Sequence, residues 1–339
     1  MHFCKLNFVN PVFWRISKIK FYLLSVLIMF LKRIFFVVLI TSIVACATGL
    51  IFDHTYKKRW SVLFFEKTDS LVKGTNYYDI IFLGNSRVHF GINPYYVDSV
   101  TGLKTYNFGY GGAGIVETMM VSSVYLQQHP APKVAVISLD MGALTKNQNL
   151  ESSFHYLFYL KNDTINKYMR DAGFLTGIIK LFPFSKYSFF DEYNRTSLFV
   201  KGNAYPVFDH NIYRGFLNVE KKTGSSVAVF GKQEAGEVIW NPAIIQLKNL
   251  VVSLQKKGCK VVFVSAPEKN TSLYKGTTLR KATDSIFTAV ASEYKLNYFH
   301  FDSDITYRDS LFTDDIHLNE PGTRKYSIKL ADSIRRIYP

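Results

Sequence analysis

The stretch that decides the fold is IIFLGNSRVHFGINP, residues 80–94. It begins with a short, continuous apolar run, which is typical of a strand that is covered on both faces. The run stops at Gly84, and Asn85-Ser86-Arg87 follow at once. A glycine permits a tight turn there, and ligands of open parallel sheets bind beyond the carboxyl ends of the strands. We therefore predict a buried parallel strand that is followed, at the ligand-binding edge of the sheet, by a serine and an arginine.

Apolar runs and helical patterns alternate along the rest of the chain. The predicted strands are residues 79–84, 104–109, 133–140, 260–267 and 296–301. The predicted helices are about 113–128, 241–258 and 277–295, with a last helix after Pro321. This alternation favours parallel strands joined by right-handed crossovers. The predicted fold class is α/β, as a three-layer α/β/α sandwich around a mainly parallel sheet of about five strands.

Residues 141–240 break the alternation between the third and fourth strands. They are dense in Phe and Tyr, and a connection of this length without its own structure is rare in a compact domain. We predict an inserted cap of helices and irregular segments. Its aromatic side chains either form the small core of the insertion, which we favour, or bind sugar.

The segment IFFVVLITSIVACATGLIF, residues 34–52, predicts a transmembrane anchor. A helix of this length is about 28 Å long, close to the thickness of the hydrocarbon core. Residues 21–31 are also apolar but are too short to span alone. Six basic residues lie before the anchor and three soon after it. This bias predicts a single-pass membrane protein with a cytoplasmic N-terminus and an extracytoplasmic, periplasmic C-terminal domain.

The predicted division of the chain is a basic cytoplasmic leader (1–33), the anchor (34–52), a linker (53–77) and an α/β domain (78–339) with the insertion 141–240. Two alternatives stay open at the N-terminal end. Met29 is an alternative translation start, from which residues 1–28 would be absent. Ile43-Val44-Ala45-Cys46 resembles a lipobox, which would make Cys46 the lipid-bearing residue of a lipoprotein, although the apolar run continuing to Phe52 favours a retained anchor.

Charge and cysteine content exclude other classes of protein. The formal net charge of the 339 residues is +15, but nine Lys and Arg residues against one Asp lie within residues 1–60. The basic charge therefore indicates the cytoplasmic membrane as a partner, and no zinc-finger, RNP or helix-turn-helix pattern indicates a nucleic acid. Cys259 is the only cysteine after residue 60, which excludes an internal disulfide and a cysteine-based metal site in the globular part. No metal or cofactor is predicted.

Two distant motifs carry the residue types of a nucleophilic serine site. Ser86 follows the first strand, where either a helix-capping or a nucleophilic role fits. FTDDIHLNEPG, residues 312–322, places Asp314 three residues before His317. A carboxylate at that spacing can accept the Nδ1 hydrogen of the imidazole and leave Nε2 free to take a proton from a serine. Asp315 is the competing carboxylate, and spacing favours Asp314.

A third motif, YNFGYGGAG at residues 106–114, directly follows the second strand. Glycines leave backbone N–H groups uncovered, as an oxyanion hole requires. A glycine-rich turn with positive φ is an equally good interpretation of the motif alone.

In this order the three motifs resemble the SGNH (GDSL-type) hydrolase superfamily over about residues 78–140 and 241–337. Gly84-Asn85-Ser86-Arg87 is similar to the family's nucleophile block, with Asn in place of the more usual Asp. The run from Asn107 to Gly112 is similar to its glycine block, and Asp314-x-x-His317 is similar to its final block. The resemblance implies that Ser86 is the nucleophile, His317 the base and Asp314 the residue that orients it. It further implies that the N–H groups of Ser86 and Gly112 are oxyanion donors.

Two neighbours of the serine are candidate substrate-binding residues. Asn85 and Arg87 flank Ser86, and Arg87 has the chemistry either to hold an anionic group of a substrate or to pair with a carboxylate of the protein.

One family block is missing after the third strand. The family usually carries Gly-x-Asn-Asp there, whose Asn is a third oxyanion donor, whereas this chain reads Leu139-Asp140-Met141-Gly142-Ala143. Asn147 and Asn149 are the nearest candidates to replace that donor.

The resemblance extends to anchored, extracytoplasmic members that act in the O-acylation of cell-surface polysaccharides. It implies an esterase or O-acyltransferase that acts on acylated carbohydrate or another acyl ester through an acyl-serine intermediate. The missing Asn keeps an alternative open, a catalytically weak or inactive protein that binds glycan as an accessory of polysaccharide biosynthesis. In either case other components of a polysaccharide-modifying system are expected partners.

Overall fold

The main sheet is parallel throughout. The computed structural model describes residues 11–59, 62–145, 150, 153–189, 212–217, 238–269, 277–304 and 306–338. Within these ranges the sheet has five strands in the order β2-β1-β3-β6-β7, and a separate antiparallel pair joins β4 and β5. The strands are β1 Ile80–Leu83, β2 Thr105–Asn107, β3 Val134–Ser138, β4 Ile212–Tyr213, β5 Phe216–Leu217, β6 Lys260–Ser265 and β7 Asn297–His300. The predicted α/β class and the five strands of its sheet are confirmed.

The helices connect the strands as the alternation predicts. They are α1 Pro11–Arg59, α2 Val62–Lys73, α3 Ser86–His89, α4 Pro94–Thr101, α5 Ile115–Gln128, α6 Ser153–Tyr156, α7 Asp163–Asp171, α8 Thr176–Leu181, α9 Asn241–Lys256, α10 Thr278–Glu293 and α11 Glu320–Ile337. Short 3₁₀ turns cover Met141–Leu144, Pro183–Phe189 and Asp309–Leu311. The predicted helices near 113–128, 241–258 and 277–295, and the last helix after Pro321, lie within a few residues of α5, α9, α10 and α11.

Helices cover both faces of the sheet. Ile80 and Phe82 of β1 belong to one buried cluster, which also holds Val97 of α4 and Leu330 of α11. Ile81 and Leu83, the alternate residues of the same strand, belong to a second cluster formed with α5, α9 and α10. Successive side chains of a strand point to opposite faces, so these two clusters are the two halves of a three-layer sandwich.

The strand order places a crevice beside the end of β1. From β1 the chain runs to β2 on one side and then crosses to β3 on the other side. Connections that leave in opposite directions open a gap beyond the carboxyl ends of the two central strands, and ligands of such sheets bind in this gap. Ser86 comes three residues after the last residue of β1.

The apolar N-terminal segments form one continuous helix. The region Lys20–His54 within α1 is long and apolar enough to cross a membrane, and its side chains are almost all exposed. It contains both the predicted anchor, 34–52, and the run 21–31, which therefore are not separate segments. A signal sequence near the N-terminus can also be a long apolar helix, so the orientation and the retention of this helix stay predictions.

The segment predicted as a linker, residues 53–77, contains the end of α1 and the whole of α2. Phe65 and Leu71 of α2 are buried in the same cluster as residues of α5, α9 and α10. The described part of the insertion packs against α2 and α5 through buried residues of α6 and α7, among them Tyr156 and Met169. Of the insertion's described aromatic residues, Tyr156 and Tyr159 are buried in this core, whereas residues 190–211 and 218–237 of the insertion lie outside the described residues.

Candidate active site

A tight turn brings Ser86 from the end of β1 into the crevice. Gly84 has φ +143°, which L side chains rarely adopt, and a Cβ there would lie 2.9 Å from Cγ2 of Val88 and 3.0 Å from the carbonyl oxygen of Ser138. Only glycine fits both the backbone conformation and the space. Asn85 then caps α3, because its side-chain oxygen accepts a hydrogen bond of 3.0 Å from the N–H of Arg87.

The side chain of Asn85 is held at both ends. Its Nδ2 donates to the carboxylate of Asp140, and that carboxylate also accepts a hydrogen bond of 3.1 Å from the N–H of Ala143. Asp140 lies in the segment Leu139–Ala143, which has no asparagine to act as an amide donor. Here it supplies a carboxylate that fixes the serine turn, and Asn147 and Asn149 lie outside the described residues.

A short loop before α11 presents His317. Phe312 and Leu318 form an antiparallel bridge, and the N–H of Thr313 donates to the carbonyl oxygen of His317 at 2.8 Å. Asn319 caps α11 by accepting a hydrogen bond of 3.1 Å from the N–H of Gly322. The backbone on both sides of His317 is therefore fixed.

Packing between α4 and α11 connects the segment after Ser86 with the segment after His317. The hydroxyl of Thr323, in the first turn of α11, donates to the carbonyl oxygen of Phe90 at 3.0 Å. The N–H of Asn93 donates to the hydroxyl of Ser327 at 2.9 Å. Phe90 directly follows α3, so these bonds tie the helix after His317 to the turn that carries Ser86.

The structure brings Ser86, His317 and Asp314 together in one hydrogen-bonded chain. The Ser86 Oγ and the His317 Nε2 are 2.8 Å apart, although 231 residues separate them in sequence. The His317 Nδ1 is 2.7 Å from Oδ2 of Asp314. His317 is buried, while Ser86 and Asp314 are partly exposed. This is the geometry in which an imidazole can remove the proton of a serine while a carboxylate holds its tautomer.

The Asp314 carboxylate is stabilised in its charged form. Burial raises its pKa, but the hydrogen bond with His317 and the N–H groups of Ile316 and His317, at 2.9 and 2.8 Å, together outweigh burial and leave the pKa of Asp314 below its ordinary value. Asp315, the competing residue, instead has Oδ1 3.9 Å from Nζ of Lys269. The structure thus places Asp314, and not its neighbour, against the imidazole.

Arg87 lines the cleft beside Ser86, and its side chain is bonded to the protein backbone. Its guanidinium is buried and donates to the carbonyl oxygens of Ala266 and Pro267, at 2.9 Å for the latter. Its hydrogen-bond partners are therefore backbone carbonyl oxygens and not a carboxylate. A small cleft borders the triad; it is lined by Ser86, Arg87, Phe90, Gly91, Ala266, Pro267, Ile316, His317 and Leu318.

The glycine block packs against the helix that carries Ser86. The N–H of Tyr110 donates to the carbonyl oxygen of Gly84 at 3.0 Å. The side-chain amide of Asn107 donates to the carbonyl oxygens of Val88 and Ile92, both at 2.7 Å. These contacts place the loop after β2 directly beside the serine turn.

Gly109 is the closest point of this contact and gives a prediction. A Cβ on Gly109 would lie 2.6 Å from Cβ of Val88 and 2.8 Å from the backbone nitrogen of His89, so either the loop or α3 must move. We expect Gly109→Ala to lower the free energy of unfolding by about 1–3 kcal/mol and to lower turnover by displacing Ser86. Thermal unfolding and ester hydrolysis measure the two effects.

Gly111→Ala is the matched control for that variant, since nothing lies within 4 Å of its added Cβ. Equal losses in the two variants would contradict the role assigned to the close contact at Gly109.

Two backbone N–H groups were predicted as oxyanion donors. Ser86 is the first residue of α3, and the first N–H groups of a helix have no intrahelical acceptor. Gly112 has φ +75° in the turn that precedes α5, a conformation suited to glycine. Their role toward an oxyanion stays a prediction.

Sequence reasoning missed Lys67, a buried lysine beneath the glycine block. Its ammonium group donates to the carbonyl oxygen of Gly109 and lies 5.0 Å from the ring centroid of Tyr110. Burial lowers the pKa of Lys67 well below its ordinary value. The helical spacing of Phe64, Lys67 and Leu71 could have revealed it, because it places a lysine on the apolar face of α2.

His89 is a second buried basic group near the site. Its ring stacks on Phe90 with centroids 4.4 Å apart, and neither ring nitrogen has a hydrogen-bond partner among the described residues. Burial, and then the charges of Lys67 and His317, hold the pKa of His89 well below its ordinary value. Its burial therefore favours the neutral form of His89 in the folded protein, and the histidine that contacts Ser86 Oγ is His317.

The neutral His89 predicts acid sensitivity. Below about pH 6.5 the unfolded chain binds a proton at this residue and the folded chain does not, so stability falls as the pH falls. We expect the stability lost between pH 7 and pH 5.5 to be smaller in His89→Phe than in the wild type by about 1.4 kcal/mol. Unfolding midpoints in detergent at both pH values, with the exposed His300→Gln as control, measure this, and an unchanged loss in His89→Phe would contradict it.

Comparison with known proteins leaves the family open. No protein-family model matches the chain, and no curated protein matches it significantly. An acetyl xylan esterase of known structure, AlAXEase, aligns at 12% identity and a TM-score of 0.40 over 77% of this chain and 99% of its own. A mutant of the esterase AlinE4 aligns at 10% identity and a TM-score of 0.35 over 78% and 99%. Identities and TM-scores this low assign neither a family nor an activity.

Proposed function

We propose that the protein is a membrane-anchored, extracytoplasmic serine esterase or O-acyltransferase that acts on acyl esters of cell-surface carbohydrate. The observation that carries this proposal is the chain of contacts from Ser86 Oγ through His317 to Asp314, with distances of 2.8 and 2.7 Å. Elements from opposite ends of the domain converge to make it, and its serine lies at the crevice where ligands of such sheets bind.

The first half-reaction forms an acyl-enzyme. His317 Nε2 takes the hydroxyl proton of Ser86 while Oγ attacks the carbonyl carbon of the ester. Negative charge develops on the carbonyl oxygen, toward which the N–H groups of Ser86 and Gly112 would donate. The imidazolium, stabilised by Asp314, gives its proton to the departing alkoxide oxygen as the ester bond breaks. The acyl group is then held on Ser86.

The second half-reaction releases the acyl group. His317 removes a proton from the acceptor hydroxyl, whose oxygen attacks the acyl carbon, and Ser86 Oγ recovers its proton from the imidazolium as it leaves. Water as acceptor gives hydrolysis, and a sugar hydroxyl gives transfer. The residues of the triad serve both outcomes equally.

The segment after β3 supports one competing function. It carries no asparagine at the position where the resemblance implies a third oxyanion donor, and loss of one donor typically costs about 2.7–4 kcal/mol of transition-state stabilisation. A slow enzyme, or a glycan-binding accessory protein that has lost activity, would follow from the missing donor.

Turnover of an ester by the full-length protein in detergent separates these functions. We expect release of chromophore from a chromogenic acetyl ester, and its loss in His317→Ala. An added oligosaccharide that gains the acetyl group while acetate production falls would identify a transferase. A folded wild type without hydrolysis or transfer would reject the enzyme and leave the binding protein.

A further inference from the structure

A short segment of the insertion is docked on the end of the apolar helix. It consists of α8 and the 3₁₀ turn Pro183–Phe189. A Cβ added to the buried Gly49 of α1 would lie 3.1 Å from Cβ of Phe184, so the absence of a side chain at Gly49 lets the turn approach the helix. The rings of Phe52 and Tyr187 meet edge to face with centroids 5.5 Å apart.

A buried ion pair fixes this docking. Lys186 Nζ is 2.6 Å from Oδ2 of Asp53, and the Lys186 side chain is only 6% exposed. The hydroxyl of Tyr187 donates to the same carboxylate, and the ammonium group lies 4.2 Å from the ring centroid of Phe158. Breaking such a buried pair is costly, so the segment is held at one level on α1. That level is the C-terminal end of the region Lys20–His54, which is apolar enough to span a membrane.

The docked segment and the adjoining Leu175 and Phe182 expose large apolar side chains. Leu175, Ile178, Leu181, Phe182 and Phe184, which we call the apolar patch, are all exposed, Leu181 to 71%. Leu50 and Ile51 of α1 are exposed at the same level of that helix. Large apolar side chains clustered at a surface indicate a contact with a partner or a membrane.

We propose that the apolar patch lies in the bilayer interface, beside the point where α1 leaves the hydrocarbon. The inference rests on the proposed membrane anchoring of α1. A lipid surface is the occupant that fits because the segment that carries the patch is docked on the last turns of α1, where the apolar side chains of Leu50 and Ile51 are also exposed. Lys180, exposed on the same short helix, can extend its ammonium group to the lipid headgroups. The patch would give the α/β domain a fixed orientation on the membrane, in addition to its tether.

Site-specific fluorescence in the full-length protein tests this proposal. The background replaces Cys4, Cys46 and Cys259, and single substitutions then carry an environment-sensitive label. Leu181→Cys reports the patch, Leu39→Cys reports the middle of the apolar helix, and Ile245→Cys on α9 is an exposed apolar control. The protein is reconstituted into phosphatidylcholine–phosphatidylglycerol vesicles with and without lipids that carry a spin-label quencher.

We expect the label at Leu181→Cys to be quenched about twofold by the spin-labelled lipid, as at Leu39→Cys, with no quenching at Ile245→Cys. Quenching at Leu39→Cys alone would overturn the patch while the anchor stands. No quenching at either position would remove the anchor and the patch together. A blue-shifted label at Leu181→Cys that lipid does not quench would mean that protein covers the patch, and would also overturn the proposal.

Discussion

Ser86→Ala is expected to lower kcat for ester hydrolysis on the order of 10⁵-fold, because the variant has no atom to carry the acyl group. The remaining rate would come from substrate binding and the oxyanion donors alone. The change removes one oxygen whose partner is His317 Nε2, so the fold should persist. The rate of hydrolysis of a chromogenic acetyl ester tests the loss of activity, and the thermal unfolding midpoint of the same sample tests whether the fold persists.

Ser99→Ala is the matched control for this variant. Ser99 lies on α4, and its hydroxyl donates to the carbonyl oxygen of Tyr96 at 2.8 Å, away from the triad. If Ser86→Ala kept the wild-type rate, Ser86 would not be the nucleophile and the proposed chemistry would have no basis.

Asp314→Asn is expected to retain the fold and to lose about 10⁴-fold in kcat. An asparagine oxygen can still accept the N–H groups of Ile316 and His317 that Oδ1 of Asp314 accepts. Its NH₂ group would then face Nδ1 of His317 and favour the tautomer with hydrogen on Nε2. That tautomer cannot take the proton of Ser86, and the imidazolium would lose its stabilising charge.

Asp315→Asn provides an internal control one residue away. Its carboxylate contacts Lys269 and not the imidazole, so the variant should keep most of its activity. A larger loss in Asp315→Asn than in Asp314→Asn would move the orienting role to the second carboxylate and contradict the observed contacts.

Local sequence patterns predict much of the sheet and its helices. The apolar run before Gly84 predicts β1, and the alternation after it predicts the parallel sheet, because burial on both faces demands continuous apolar strands. The spacing of Asp314 and His317 predicts their contact, because side chains three residues apart in one turn of the backbone can reach each other. The approach of His317 to Ser86 required more, namely the assumption that the motifs follow one family pattern.

Other features depend on contacts between distant residues and leave only weak local signals. Lys67 meets Gly109 across 42 positions, and Lys186 meets Asp53 across 133. The side chains of Asn85 and Arg87, which flank Ser86, bind Asp140 and backbone carbonyl oxygens, contacts that their positions in sequence do not predict, and their role toward a substrate stays a prediction. Sequence proximity to a nucleophile does not determine the direction in which a side chain points.

The most direct test of the central claim is to find the residue that becomes covalently modified. The full-length protein is treated with a fluorophosphonate, digested and mapped by mass spectrometry. We expect one phosphonylated site, Ser86, and no modification there in His317→Ala. An adduct on another residue, or an unmodified Ser86 in folded protein that still hydrolyses the ester, would contradict it.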